Sequence, residues 1–490
     1  MTTTEKKHND KNEISLEWRR TKIVATLGPA CSKPTEIKAL IEAGADVIRL
    51  NMSHGDHETH SKVFQRVRRV AKSLNKHIPI LADLCGPKIR TGIFENDSIV
   101  LENGDKVTVT TREVIGSDGL IFSQYKNLHK DVAKGERILL DDGNLELKIL
   151  SVKDRDIFCE VIYGGVLKNH KGMNLPDTVV STRSFTNKDK IDAKLAVELG
   201  VDFIALSFVR DAADVKRLQR YLKKMHADIP IISKIEKPEA VDNIEEILDA
   251  SYGIMVARGD LGIEVQPEKV PLIQQDLIAA ARIKNKPVIV ATQMMESMIT
   301  HSRPTRAEIG DVANAALLSA DAVMLSGETS VGKYPNMAIS YMDRTLREME
   351  AYQWRRGSFA EPPKFDTSKE SNHFKQAIGH AVMTLADNLR LQGIIVPTNS
   401  GSTARVISAY RPTSLTISIS PNAQVCRQLM LSWGVMPVLV AEKLTYHWHA
   451  LCEAVARQQK GVKSGDNFLF VSGFNPDPTL NKPVLKLIRI

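Results

Sequence analysis

Eight short apolar runs, each followed by a stretch with helical periodicity, constrain this chain more than anything else in it. They fall at residues 21–27, 47–52, 79–84, 203–208, 231–235, 253–257, 287–291 and 322–325. None alternates apolar with polar side chains, so both faces of each strand must be covered, as in parallel sheets walled by helices. Apolar side chains recur at helical spacing in residues 36–43, 191–199, 215–225, 241–248, 272–283 and 309–318, and Val63, Phe64, Val67, Val70 and Leu74 mark a further helix. Eight such units imply an α/β fold closed as a (β/α)8 TIM barrel in preference to an open sheet.

The alternation stops near residue 88 and resumes after 185. Between them lie β-rich runs at 106–111, 137–140, 145–150 and 157–162, with turn signals at Asn103-Gly104, Asp142-Gly143 and Gly164-Gly165. We therefore expect a polar tail (1–18), a catalytic barrel (19–87 and 186–354) and an inserted all-β barrel unit (88–185). After a charged, proline-containing connector, residues 355–490 again alternate strands (393–397, 415–419, 437–440, 468–471) with helices, as a small open α/β unit does.

Composition excludes several classes. With 43% hydrophobic and 25% charged residues the chain reads as globular. No apolar run approaches the roughly 20 residues a bilayer span requires, so no membrane partner is expected. The five cysteines form no C-x-x-C pair. Together with the polar opening, they suit a reducing, cytoplasmic location without disulfides or zinc. The net charge is +8, but basic residues are scattered among acids. The densest cluster, Arg66, Arg68, Arg69 and Lys72, falls largely on the polar side of a helix, where a solvated face is expected. Nucleic acid is not an expected partner; small anionic substrates are.

In such barrels the loops after the strands carry the chemistry. Arg49, Asn51, Ser53 and His54 end or follow the second strand, and Asp83, Lys88 and Arg90 the third. Lys234 and Glu236 come at the fifth, Arg258, Gly259 and Asp260 at the sixth, Thr292 and Gln293 at the seventh, and Ser326, Gly327 and Glu328 at the eighth. Closure would bring them to one rim. Two carboxylates there can hold a hard divalent cation through oxygen, and a lysine beside them can neutralise an anion. In the C-terminal unit, Thr398, Ser400, Gly401, Ser402 and Thr403 form a hydroxyl-rich turn before a helix, able to present N–H groups to phosphate.

The motifs TKIVATLGPA, VIRLNMSHG, GPKIRTG, ISKIEKPEAV, VARGDLGIEV, ATQMMESM, RPTRAEI, DVANA and DAVMLSGETS stand in this order. On them the chain resembles the pyruvate kinase family over nearly its whole length after the tail. The resemblance implies the last step of glycolysis, phosphoryl transfer from phosphoenolpyruvate to ADP giving pyruvate and ATP. It implies that Glu236 and Asp260 bind Mg2+ or Mn2+, and that Lys234 contacts the phosphoryl group and the developing oxyanion. Arg49 would grip the phosphoryl group, and Thr292 would relay a proton to the enolate through water. Gly259 and Asp260 would open a loop whose N–H groups receive the substrate carboxylate. Arg90, Lys188 and Glu328 match positions near the nucleotide or serve the structure. The resemblance also implies a mobile lid in the β unit, a phosphorylated allosteric effector on the 398–403 turn, and a homotetramer.

Asn51, Ser53 and Asp83 match ligands of the family's K+ site. However, Leu84 stands where threonine is common, and Lys88 where K+-dependent members carry glutamate. An ammonium group would supply the cation's charge and repel K+, so K+ is expected to be dispensable. Asn399 replaces a lysine of some relatives, and residues 475–478 lack the threonine- and asparagine-rich form of others. That points away from fructose 1,6-bisphosphate and towards a sugar monophosphate or AMP. Two rival readings are another barrel acting on phosphoenolpyruvate or an enolate, which would lack ATQMMESM and RPTRAEI, and a silent metabolite sensor. Lys234, Glu236, Asp260 and Thr292 together speak against the sensor.

Overall fold

In the computed structural model, which describes residues 18–364, 370–442, 448–459, 461–473 and 482–490, the eight apolar runs close into one parallel barrel. Its strands are Lys22–Thr26, Val47–Asn51, Ile80–Asp83, Phe203–Leu206, Ile231–Ile235, Gly253–Ala257, Val288–Ala291 and Ala322–Leu325. Each pairs with its neighbours in chain order, and the last pairs with the first. The packing explains the unbroken apolar runs. Alternate side chains such as Val24, Val47, Leu81, Phe203, Ile232 and Ile289 fill the barrel. Those between them, such as Ile23, Ile48, Ile80, Ile204 and Ile254, join the layer shared with the helices. Counting on by two along the filling set gives Thr26 after Val24, Arg49 after Val47, Asp83 after Leu81 and Lys234 after Ile232. The polar groups at the C-terminal mouth are therefore the top layer of the barrel interior.

The inserted unit has its own core, built from residues such as Ile99, Val109, Ile138, Leu147 and Val161. Its strands pair as a six-stranded sheet and a two-stranded ribbon, Ser98–Leu101 with Gly165–Lys168. Single bridges from Arg90 to Gly172 and from Thr91 to Ser123 tie one segment to both outer edges of the sheet. The sheet's outer strands, Met173–Asn174 and Leu120–Phe122, are short, and a helical turn at Leu128–Asp131 interrupts the β structure.

The C-terminal unit is a five-stranded sheet in the order Val435–Leu439, Thr416–Ser420, Gly393–Pro397, Asn467–Ser472, Val484–Arg489, parallel except for the last strand. The tail through residue 17 and the 475–478 segment, on which the effector expectation partly rests, lie outside the described residues. This unit docks on the end of the barrel opposite the polar mouth. Asp321, just before the eighth strand, accepts from Arg411 Nη2 at 2.9 Å and from the Trp433 N–H at 3.0 Å. Asp202, just before the fourth, accepts from Arg427 Nε at 2.6 Å, Arg68 Nη2 at 2.7 Å and the Ile80 N–H at 2.8 Å.

Arg68 is thus not a solvated helix residue as expected, and Arg66 likewise donates to the Ser32 carbonyl. Asp202 is fully buried, so Asp202→Ala strands two guanidinium groups and an N–H at once. Breaking a buried ionic cluster costs about 3–5 kcal/mol, and chemical denaturation should show a loss of that size. A loss below about 1 kcal/mol would mean that the docking does not depend on this cluster.

Candidate active site

Lys234 is the centre of the mouth. Its Nζ lies 2.7 Å from Ser207 Oγ, 2.8 Å from Glu236 Oε1 and 3.4 Å from Asp83 Oδ1. Burial alone would lower the ammonium's pKa, but the carboxylates of Asp83, Glu236 and Asp260 outweigh it and hold the group above its ordinary value. It stays charged. Asp83 is 1% exposed, and burial there is outweighed by Lys234 and Arg49, so its carboxyl is held below the usual range. Arg49 reaches it from the side, donating from Nε to Asp83 Oδ2 at 2.6 Å and from Nη1 to Thr26 Oγ1 at 3.0 Å.

Glu236 behaves differently. Burial raises its pKa, Lys234 opposes that, and the like charge of Asp260 adds to it, leaving it above the ordinary value. Its Oε2 accepts the Phe208 N–H at 2.6 Å. Two carboxylates close enough to repel, one of them buried, are a donor set that a hard divalent cation suits. Among the described residues no group of three or more His, Cys, Asp or Glu is placed to hold a metal ion, so a cation here would have to take further oxygens from water or substrate.

The sixth and seventh strands supply the opposite wall. Gly259 and Asp260 are not in an open loop, as expected, but in the first turn of a short helix, Arg258–Glu264. The Gly259 N–H donates to Thr292 Oγ1 at 2.7 Å, and the Thr292 hydroxyl donates to the Ala291 carbonyl at 2.6 Å. Thr292 and Gln293 both have left-handed backbone, with φ of 67° and 55°, which is strained for a β-branched residue. Arg258 Nη2 fastens that turn by donating to the carbonyls of Thr292 (2.8 Å) and Gln293 (3.3 Å).

Between the mouth and the inserted unit is a cleft lined by Lys88, Asp142, Asn174, Phe208 and Asp260 among others. Asn174 Nδ2 crosses it to Glu264 Oε1 at 3.0 Å, and Lys237 Nζ meets the same oxygen at 2.8 Å. Burial, then the charges of Arg90, Lys88 and Arg49, hold His54 below its ordinary pKa. Lys88 is exposed, and among the described residues no carboxylate is within ion-pair distance of it. Asn51 Oδ1 accepts the Ser53 N–H at 3.2 Å. Lys188 donates to the Met52 carbonyl at 2.7 Å and pairs with Asp192, half-exposed at the mouth. Arg90 binds the His170 carbonyl within the inserted unit. Glu328 is buried, its oxygens accepting the N–H groups of Met295 (3.1 Å) and Ser326 (2.7 Å), so it holds two rim turns together.

Profiles described as "Pyruvate kinase, barrel domain" and "Pyruvate kinase, alpha/beta domain" match residues 18–339 and 376–481. The chain belongs to the pyruvate kinase family. It is 42% identical over 460 residues to pyruvate kinase 2 of Synechocystis sp., covering 93% of this chain and 76% of that one. To the pyruvate kinase of Staphylococcus saprophyticus it is 43% identical, covering 96% and 80%. The crystal structure of a pyruvate kinase from Cryptosporidium parvum superposes with a TM-score of 0.88 at 36% identity, covering 96% of each chain. Membership of the pyruvate kinase family makes this protein a phosphotransferase enzyme.

The hydroxyl-rich turn lies apart from this mouth, in the C-terminal unit. The Gly401 N–H donates to Thr398 Oγ1 at 2.9 Å, and Ser402 begins the helix Ser402–Ala409. Thr398 and Thr403 are buried while Ser400 is exposed. Sequence reasoning missed Ser207 and Phe208, which follow the fourth strand; the inward count through Phe203 and Ala205 leads directly to Ser207. It also gave Arg258 no role.

Proposed function

We propose that this member of the pyruvate kinase family transfers the phosphoryl group of phosphoenolpyruvate to ADP with a divalent cation and without K+. The observation that carries the reading is the charged Lys234 held among Ser207, Glu236 and Asp83, with Arg49 on the other side of Asp83. Arg49 and Lys234 grip the phosphoryl group as it leaves the enol oxygen, the fork giving direction and the ammonium charge. Glu236 and Asp260 hold Mg2+ or Mn2+, which would supply positive charge to the developing enolate oxygen. Thr292, its hydroxyl oriented by Gly259 and Ala291, passes a proton from water to the enolate carbon. Gly259 and Asp260 receive the substrate carboxylate at the helix's first turn, and Arg90 and Lys188 face the nucleotide from the two sides of the cleft. Glu328 shapes the rim near them.

K+ independence is supported by Lys88, an exposed cation without a carboxylate partner among the described residues that stands where K+-dependent members carry glutamate. Asn51 turns its oxygen to the Ser53 N–H. Initial rates of pyruvate formation from phosphoenolpyruvate, ADP and Mg2+ should agree within about twofold with and without K+. A tenfold or larger rise on adding K+ would overturn this.

The 398–403 turn, with Thr398, Ser400, Gly401, Ser402 and Thr403, is assigned to a phosphorylated effector, a sugar monophosphate or AMP. Arg405 Nη1, 3.3 Å from the Ser400 carbonyl, adds positive charge beside it. The assembly as a homotetramer and the cytoplasmic location rest on family membership. Among the described residues no helix is long and apolar enough to cross a membrane.

A further inference from the structure

An open groove of about 800 Å3 crosses the helical wall of the barrel, where the segment returning from the inserted unit meets the helices Asn187–Leu199 and Ala212–Lys224. Five cations line it: Arg183 from the return segment, Lys190 from the first helix, and Arg217, Arg220 and Lys224 from the second. No carboxylate is among the lining residues. Arg217 pairs with Asp214 at 2.8 Å, but among the described residues Arg183, Lys190, Arg220 and Lys224 have no carboxylate within ion-pair distance.

Arg217, Arg220 and Lys224 stand three and four residues apart on one helix face, a spacing at which like charges destabilise a helix. An anion in the groove removes that repulsion. A single phosphate is too small to meet all of them, because Arg217 and Lys224 are separated by about 10 Å of helix rise and the other two cations come from different elements. The groove also offers little to read a base. Phe185 is buried and packs edge-on against Tyr221, with ring centroids 5.3 Å apart, and the Tyr221 hydroxyl donates to the Lys190 carbonyl at 3.0 Å. The Thr186 hydroxyl donates to Asp189 Oδ2 and Asn187 Oδ1 accepts from Lys190 Nζ, so both are already engaged.

We propose that this groove binds an inorganic oligophosphate, tripolyphosphate or longer, held by charge from all three elements. The ligand ties the inserted unit's return segment to the barrel wall. The site is separate from the catalytic mouth and from the 398–403 turn, since none of its lining residues belongs to either, and it depends on no role assigned there.

Isothermal titration of the full chain with tripolyphosphate reads the binding, in metal-free buffer of low ionic strength because salt screens exposed charges. The triple variant Arg183→Gln, Arg220→Gln, Lys224→Gln changes three exposed residues and should bind at least about tenfold more weakly than the parent. The control triple Lys194→Gln, Lys216→Gln, Lys223→Gln removes the same charge from exposed positions on the same two helices outside the groove, and should lose less than about threefold. Both triples should keep the parent's thermal midpoint. Equal losses in the two would mark a solvated basic face with no site and overturn the proposal. So would a parent that does not bind tripolyphosphate, or binding that the groove triple leaves intact, which would put the anion elsewhere on the molecule. Uridine triphosphate losing more affinity than tripolyphosphate on the groove substitutions would show that the groove reads a nucleoside, and would overturn the inorganic assignment.

Discussion

Lys234→Met should lower kcat for pyruvate formation by about 10^3-fold, the upper range for removing one preorganised electrostatic group. Three contacts make the loss this large. The ammonium group faces Glu236 at 2.8 Å, Asp83 at 3.4 Å and Ser207 at 2.7 Å, and no other described side chain donates to Asp83 Oδ1 or Glu236 Oε1. Methionine fills the space without the charge, so two carboxylates, each 1% exposed, lose their shared counter-charge. Stability should also fall, by about 3–5 kcal/mol, because the buried partners remain behind. With Mg2+ saturating, the KM for phosphoenolpyruvate should change far less than kcat, since the charge the lysine meets is largest in the transition state. Steady-state rates and denaturant unfolding read both effects. A kcat within tenfold of the parent would show that Lys234 serves the fold and not the reaction.

The barrel was legible because each strand is buried on two faces, which leaves an unbroken apolar signal such as Gly253–Ala257, found at the same bounds in sequence and structure. Lys234, Glu236, Asp83 and Arg49 were legible because charge at the end of such a run has few structural uses. The inserted unit was harder. Its edge strands Leu120–Phe122 and Met173–Asn174 are three and two residues long, too short to show a period. The helix Arg258–Glu264 was hidden because its two glycines read as a loop, yet the turn is closed by a backbone bond from Val265 to Leu261. Ser207 was missed because a serine after an apolar run carries no charge to draw notice. Arg68 was misjudged because one arginine among several on a polar helix face gives no sign that Asp202, 134 residues away, is its partner.

Arg258→Met should lower kcat about 10^2-fold although Arg258 does not line the cleft. Two adjacent residues, Thr292 and Gln293, keep φ values of 67° and 55°, and such strain costs of order 1–3 kcal/mol each. The turn holds because Arg258 Nη2 donates to both carbonyls, while Nη1 is anchored on Asp311 at 2.7 Å. Without the fork the backbone relaxes, and the Thr292 hydroxyl moves off the Gly259 N–H. Misplacing a reacting group by about 1 Å can cost 10^2-fold. Arg258→Lys should not rescue, because one ammonium cannot span Asp311 and two carbonyls. Since the lost function is proton delivery, exchange of the methyl protons of added pyruvate with deuterated solvent should fall in step with kcat, while the dissociation constant for phosphoenolpyruvate stays within a few-fold. A variant that loses substrate binding as severely as exchange would show that Arg258 maintains the barrel as a whole. One that keeps kcat within threefold would show that the turn holds its shape without the arginine.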